Sequence, residues 1–133
     1  MTVFQVKAAD PDERVVCERC RVADGPLTRL RGLMGRRMLP RGEGLLLKPA
    51  PSIHTFFMRF AIDAVFLDAG MNVVAVKADL TPWRMAGRRG ARAVLELPAG
   101  EARRVGILAG TRLELAGGTD TGRPGEPGAR DAG

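Results

Sequence analysis

The sequence predicts a mainly-β domain, a sandwich or jelly-roll-like barrel with one short helix. Three observations lead there. The apolar runs are short, and several alternate with polar residues at the strand period of two. Glycine and proline, 17 and 9 in 133 residues, punctuate almost every run. Only one stretch carries apolar residues at helical spacing. Short strands, frequent turns and a single brief helix fit a sandwich or barrel better than a layered α/β fold.

Taken in order, Val15 to Ala23 alternates as a strand. "DGPLTRLRGLMGRR" follows, with Asp24 placed as an N-cap and Pro26 early. Leu27, Leu30 and Met34 fall at i, i+3 and i+7, one apolar stripe on a short helix that Gly35 ends. Gly32 inside it costs about 1 kcal/mol relative to alanine. Gly44 to Lys48 is a short buried strand. Ile53 to Met58 and Ile62 to Leu67 are strands, and "DAGMN" turns the second into Val73 to Lys77 as a hairpin. "ARAVLELPAG" is a strand with a proline–glycine exit. A glycine-containing turn then leads to a last strand, Arg112 to Leu115.

Residues 1–116 read as one unit, within the ordinary size of a single domain. Residues 117–133, "GGTDTGRPGEPGARDAG", hold no apolar side chain larger than alanine. Such a segment cannot bury enough surface to offset its ordering entropy, so a disordered tail is expected. No internal repeat is present.

The formal charge is +6 and the isoelectric point about 10.6. The basic residues are almost all arginine and are scattered along the chain. Tyrosine is absent and the few aromatics do not interleave with the basic residues, so nucleic-acid binding is not expected. No run approaches the ~18 apolar residues of a membrane span. The N-terminal stretch lacks a signal-peptide pattern, and a cytoplasmic location with reduced cysteines is the expectation.

Candidate chemistry concentrates in "SIHTFFMRFAIDAVFLD", Ser52 to Asp68, which contains the single histidine, His54. On a strand, Asp63 lies on the face opposite Ile62 and Ala64, and Arg59 shares its face if the extended segment continues. A buried carboxylate without partners is expensive. Asp63 is therefore expected to be satisfied by Arg59 or by backbone N–H groups. A site carboxylate is the competing reading. His54 and Met58 form a soft pair suited to copper(I), for which Met34, Met85 or a cysteine would have to supply a third ligand. Cys17 and Cys20 form a C-x-x-C without the second ligand pair that zinc needs. On a strand, residues three apart face opposite sides, so two ordinary thiols are expected. Nucleophile-elbow, phosphate-loop and H-E-x-x-H patterns are absent.

The blocks "RLRGLMGR", "GEGLLL", "IHTFFMRFAIDAVFLDAGMNVVAV", "LTPWR" and "VLELPAGEARRVGILAGTRLEL" occur in this order between Cys17 and Leu115. That order resembles the domain-of-unknown-function 192 family. The matching steps are Arg31 to Arg36, then Met58 with Ile62 and Asp63, then Leu95 to Gly100. The resemblance implies a compact mainly-β fold with a short helix and implies no activity. Many relatives carry a signal peptide. Some have Gly-Asp where this chain has Gly110-Thr111, and proline where it has Ala61, which puts a role for a carboxylate at the first turn in doubt.

The reading is a small non-catalytic binding or accessory module without a cofactor, its partner a small molecule or protein segment. Its candidate ligand-binding residues are Arg31, His54, Met58, Arg59, Asp63 and Trp83. The alternatives are a copper-type soft-metal protein and a hydrolase-like enzyme using Asp63 and His54. A third soft ligand near His54 separates the first alternative, and His54 within hydrogen-bond reach of Asp63 the second.

Overall fold

The computed structural model describes residues 2–9, 13–23, 38–50, 52–56 and 58–120. The strands are β1 (Thr2–Ala8), β2 (Val15–Ala23), β3 (Glu43–Leu47), β4 (Ser52–His54), β5 (Ile62–Leu67), β6 (Val73–Leu80), β7 (Met85–Gly87), β8 (Ala93–Pro98) and β9 (Leu113–Asp120). One short helix, α1 (Glu101–Arg104), follows β8. Seven strands form a mixed sheet in the order β6-β5-β8-β3-β2-β1-β9, while β4 and β7 pair separately. Within the large sheet only β2 and β3 are parallel.

The large sheet has two buried faces, and its strand alternation divides them. One core draws residues from all seven strands, including Val6, Val16, Leu46, Val65, Val73, Leu95 and Leu113, with Ala102 of α1 among them. A face shared by both edges of a sheet is the inside of a curl. The edges meet at one corner, where Asn72 bridges Arg112 and the Val73 N–H donates to the Thr111 carbonyl. The sheet does not close into a barrel, because the edge strands share this bridge and no continuous ladder. The second core lies on the outer face. It packs Leu45, Leu47, Ile62, Ala64, Phe66 and Val94 beneath Ile53 of β4 and Met58. β5 sits between the two layers and is buried at every position, which explains its run of Ile, Ala, Val, Phe and Leu.

Several expectations need correction. The strand predicted over Ile53 to Met58 stops at His54, where the Met58 N–H donates to the Thr55 carbonyl and the chain turns. Arg59 is exposed on the following bend, off the strand that carries Asp63. β9 continues to Asp120, so the first four residues of the expected tail are ordered by backbone pairing with Thr2 and Val3 of β1. Backbone pairing needs no apolar side chain, so composition did not reveal it. The helix expected between Asp24 and Gly35 lies outside the described residues, as does Arg31.

The cysteines do not face opposite sides. Phe4 pairs with Cys20 and Val6 with Cys17, so β2 carries one residue more than β1 between these pairs. This bulge turns Glu18 and Arg19 outward together and puts both thiols in the inner core. The Glu18 and Arg19 N–H groups freed from the ladder donate to the Gly42 carbonyl. The Cys17 thiol donates to the same oxygen at 3.4 Å. Gly44 leaves room for that thiol, since a Cβ there would stand 2.9 Å from the Cys17 sulfur. The neighbouring Cys20 thiol draws the Cys17 pKa down, while its contact with Cys17 and burial raise that of Cys20.

Candidate functional site

The small sheet has three cross-strand pairs, Ser52 with Gly87, Ile53 with Ala86 and His54 with Met85. Ile53 and Ala86 turn inward onto the outer core. Alternation then sends His54 and Met85 outward, directly opposite each other. Thr55 fixes the chain just beyond. It is fully buried, and its N–H donates to the Arg84 carbonyl at 2.8 Å. Its hydroxyl donates to the Thr81 carbonyl at 2.7 Å and accepts from the Arg84 N–H at 2.8 Å. Its carbonyl accepts from the Trp83 N–H at 3.0 Å.

This clamp holds Trp83 at φ 64°. A tryptophan in the left-handed region is held there by its surroundings, since the conformation costs on the order of 1–2 kcal/mol for a residue with a Cβ. Trp83 is nonetheless 55% exposed and Met85 71%. The Phe56 ring lies between His54 and Trp83, with centroids 4.8 Å from the first and 5.5 Å from the second. Phe56 and Trp83 are stacked at 26°. The Phe56 N–H donates to Nδ1 of His54 at 3.2 Å. The Nδ1 lone pair is thereby engaged, and Nε2 of the neutral ring carries the hydrogen. The outward edge of His54 is a hydrogen-bond donor.

Asp63 stands elsewhere. It shares the inner face of β5 with Val65 and Leu67, on the side of the sheet opposite the small sheet. It is 0% exposed. One carboxylate oxygen accepts the Asp79 N–H at 2.9 Å, and the other accepts Gly100 at 3.0 Å and Ala102 at 2.9 Å. A bulge on β6, between the pairs Ile62–Leu80 and Ala64–Lys77, leaves the Asp79 N–H free for this contact. Asp63 thus ties β6 and the start of α1 to β5. No ion pair joins it to Arg59 among the described residues. Of the candidate residues, His54 and Trp83 come together through Phe56. Met58 is buried in the outer core, and Arg59 is exposed beside it in sequence.

Sequence reasoning did not single out Glu96, on β8 between Ala64 of β5 and Leu45 of β3. It is 3% exposed, and its Oε1 has no hydrogen-bond partner. Burial pushes its pKa up to about 8. The signal was present: alternation from Val94 places Glu96 on the same apolar face. Met85 entered the sequence reading as a possible third soft ligand for His54, and Phe56 was not among the candidate binding residues; the pairing of β4 with β7 that assembles the ring face is not local.

The fold and this face define a small mainly-β protein built on an open curled sheet, with a two-stranded accessory sheet displaying stacked rings. The family model for DUF192, described as uncharacterized ACR, matches residues 6–115, and the chain belongs to that family. It is 36% identical over 100 residues to a UPF0127 protein of Pyrococcus furiosus, covering 71% of this chain and 84% of that one. It is 38% identical over 86 residues to a UPF0127 protein of Pyrococcus horikoshii, covering 60% and 72%. Two solved structures share the fold at 24% identity. One, from Novosphingobium aromaticivorans, has a TM-score of 0.74 and covers 84% of each chain. The other, from Sinorhizobium meliloti, has a TM-score of 0.76 and covers 86% of this chain and 94% of its own.

Proposed function

We propose that this domain is a non-catalytic binding module whose ligand lies on the outer face of β4 and β7. The observation that carries the reading is the row His54–Phe56–Trp83, half-buried at His54 and Phe56, exposed at Trp83, and fixed by the buried Thr55 clamp. Stacked rings with one donor edge suit a flat, acceptor-bearing ligand. The strongest candidate acid–base pair is divided, since Asp63 serves backbone N–H groups on the opposite face from His54. Two adjacent thiols without a disulfide suit a reducing compartment, and a cytoplasmic location belongs to the proposal.

The test is a titration of the isotope-labelled chain with ring-bearing solutes of several classes, such as sugars, nucleosides and indoles. Amide shifts should cluster at residues 52–56 and 83–87. No shift with any solute, or shifts centred elsewhere, would overturn the reading.

One observation favours the soft-metal alternative: His54 and the exposed thioether of Met85 face each other directly. Against it, Nδ1 is engaged by Phe56, so ligation through Nε2 would require moving the ring proton and breaking that bond. Silver(I) titration separates the two, because a metal site would saturate at one equivalent and be lost in Met85→Leu.

A further inference from the structure

Basic residues without acidic neighbours in sequence flank the strands of the ring face. Residues 48–62 and 80–95, which contain β4, β7 and their flanks, hold Lys48, Arg59, Arg84, Arg88, Arg89 and Arg92. Neither stretch contains an acidic residue. The whole chain has 21 basic and 15 acidic residues, an excess of +6. All six flanking cations are exposed. The ion pairs among the described residues lie elsewhere, on β1 to β3 and α1, and involve none of the six. Asp63, next to the first stretch, points into the opposite face. Asp79, just before the second, is the nearest exposed carboxylate in sequence.

A cationic surface alone suits any polyanion. This one also carries three rings in a row, spaced 4.8 and 5.5 Å apart, with the outermost ring exposed. An exposed ring that stacks on a planar group and guanidinium groups for the phosphates are the two components of a single-strand platform. An acidic peptide would use the charge and leave the stacked rings without a role; an anionic bilayer, which can seat an indole at its interface, is separated from a nucleic acid by the test below. The geometry points to single-stranded nucleic acid as the occupant. A base stacks on the exposed face of Trp83, which Phe56 backs from the other side, the His54 Nε2–H donates to a base or phosphate oxygen, and Arg84, Arg88 and Arg89 contact the backbone. This inference rests on the binding-face reading and names its ligand.

The test uses the full chain and an oligo-dT of about 12 nucleotides, a length in the range that such platforms cover. Binding is followed by anisotropy of a labelled strand and by emission of Trp83, the single tryptophan. The expected result is binding at low salt with quenching of Trp83 emission. Trp83→Leu should weaken it roughly 5- to 100-fold, the range for one base on one ring, and Trp83→Phe should restore most of the affinity. The double variant Arg88→Ala with Arg89→Ala should weaken binding and flatten the salt dependence by a slope of about 1–2. Absence of binding at low salt overturns the proposal. So does binding that heparin matches and that Trp83→Leu leaves unchanged, or binding confined to anionic vesicles. If the oligonucleotide fails while ring-bearing solutes still shift residues 52–56 and 83–87, only the occupant is wrong. If both fail, the face itself is not a site.

Discussion

Asp63 and Glu96 are carboxylates buried in neighbouring strands, and the fold treats them oppositely. Asp63 receives three backbone N–H groups, two on one oxygen and one on the other. Those bonds are charge-assisted and sit away from water, where each counts most. Asp63→Asn retains the shape but replaces one acceptor with a donor facing an N–H group. It should destabilise folding by about 2–3 kcal/mol in urea melts; an unchanged midpoint would mean the carboxylate is not what holds α1 and β6 in place. Glu96 has no such partners, and its raised pKa, about 8, reflects desolvation. The folded state therefore keeps a proton that the unfolded chain gives up near the ordinary glutamate value of about 4.3. The folded state binds more protons between those two values, so stability is fully present below the lower one. It falls as pH rises from there toward 8, by a few kcal/mol in order of magnitude. Glu96→Gln should remove most of that slope. Urea midpoints at pH 5 and pH 8.5 for both proteins decide it, and a wild type as stable at the higher pH would contradict the assignment.

Among the elements, legibility followed locality. β2 and β5 were readable to the residue because their patterns are self-contained: alternation in one, a continuous apolar run in the other. β7 was not, since Met-Ala-Gly has no strand signature and exists by pairing with β4. The β2 bulge was invisible for a related reason. Its cause is the acceptor at Gly42, more than twenty residues away, which takes two N–H groups that the ladder cannot. The ring face inherits the same limit. His54 and Trp83 were each conspicuous in the sequence, but their union depends on Thr55 reaching Thr81 and Arg84. If that clamp holds Trp83 at φ 64°, glycine, which enters the left-handed region freely, should suit position 83 better than alanine. Trp83→Gly is expected to be about 1 kcal/mol more stable than Trp83→Ala by thermal or urea melts. The reverse order would show that the backbone relaxes once the indole is removed.

At the scale of the whole molecule, the curled sheet depends on its edge. β1 and β9 come from opposite ends of the described chain and form one ladder, closed at its far end by Val3 with Thr119 and Thr2 with Asp120. Phe4 lies across Gly118, where a Cβ would come within 2.6 Å of the ring. The phenyl ring covers a strand glycine that has no side chain of its own to pack. Truncation after Ala116 removes those pairs and uncovers Phe4. With a net value of about 1 kcal/mol for each lost backbone bond, partly offset by regained chain entropy, the melting temperature should fall by about 3–8 °C. Truncation after Asp120 removes only a Gly- and Pro-rich stretch without large apolar side chains, and should leave it within about 1–2 °C of the full chain. Scanning calorimetry on the two truncations and the full chain separates the contributions. Equal losses would place stabilising contacts beyond Asp120, and no loss from the longer deletion would mean that the curl is held by β1 with β2 alone.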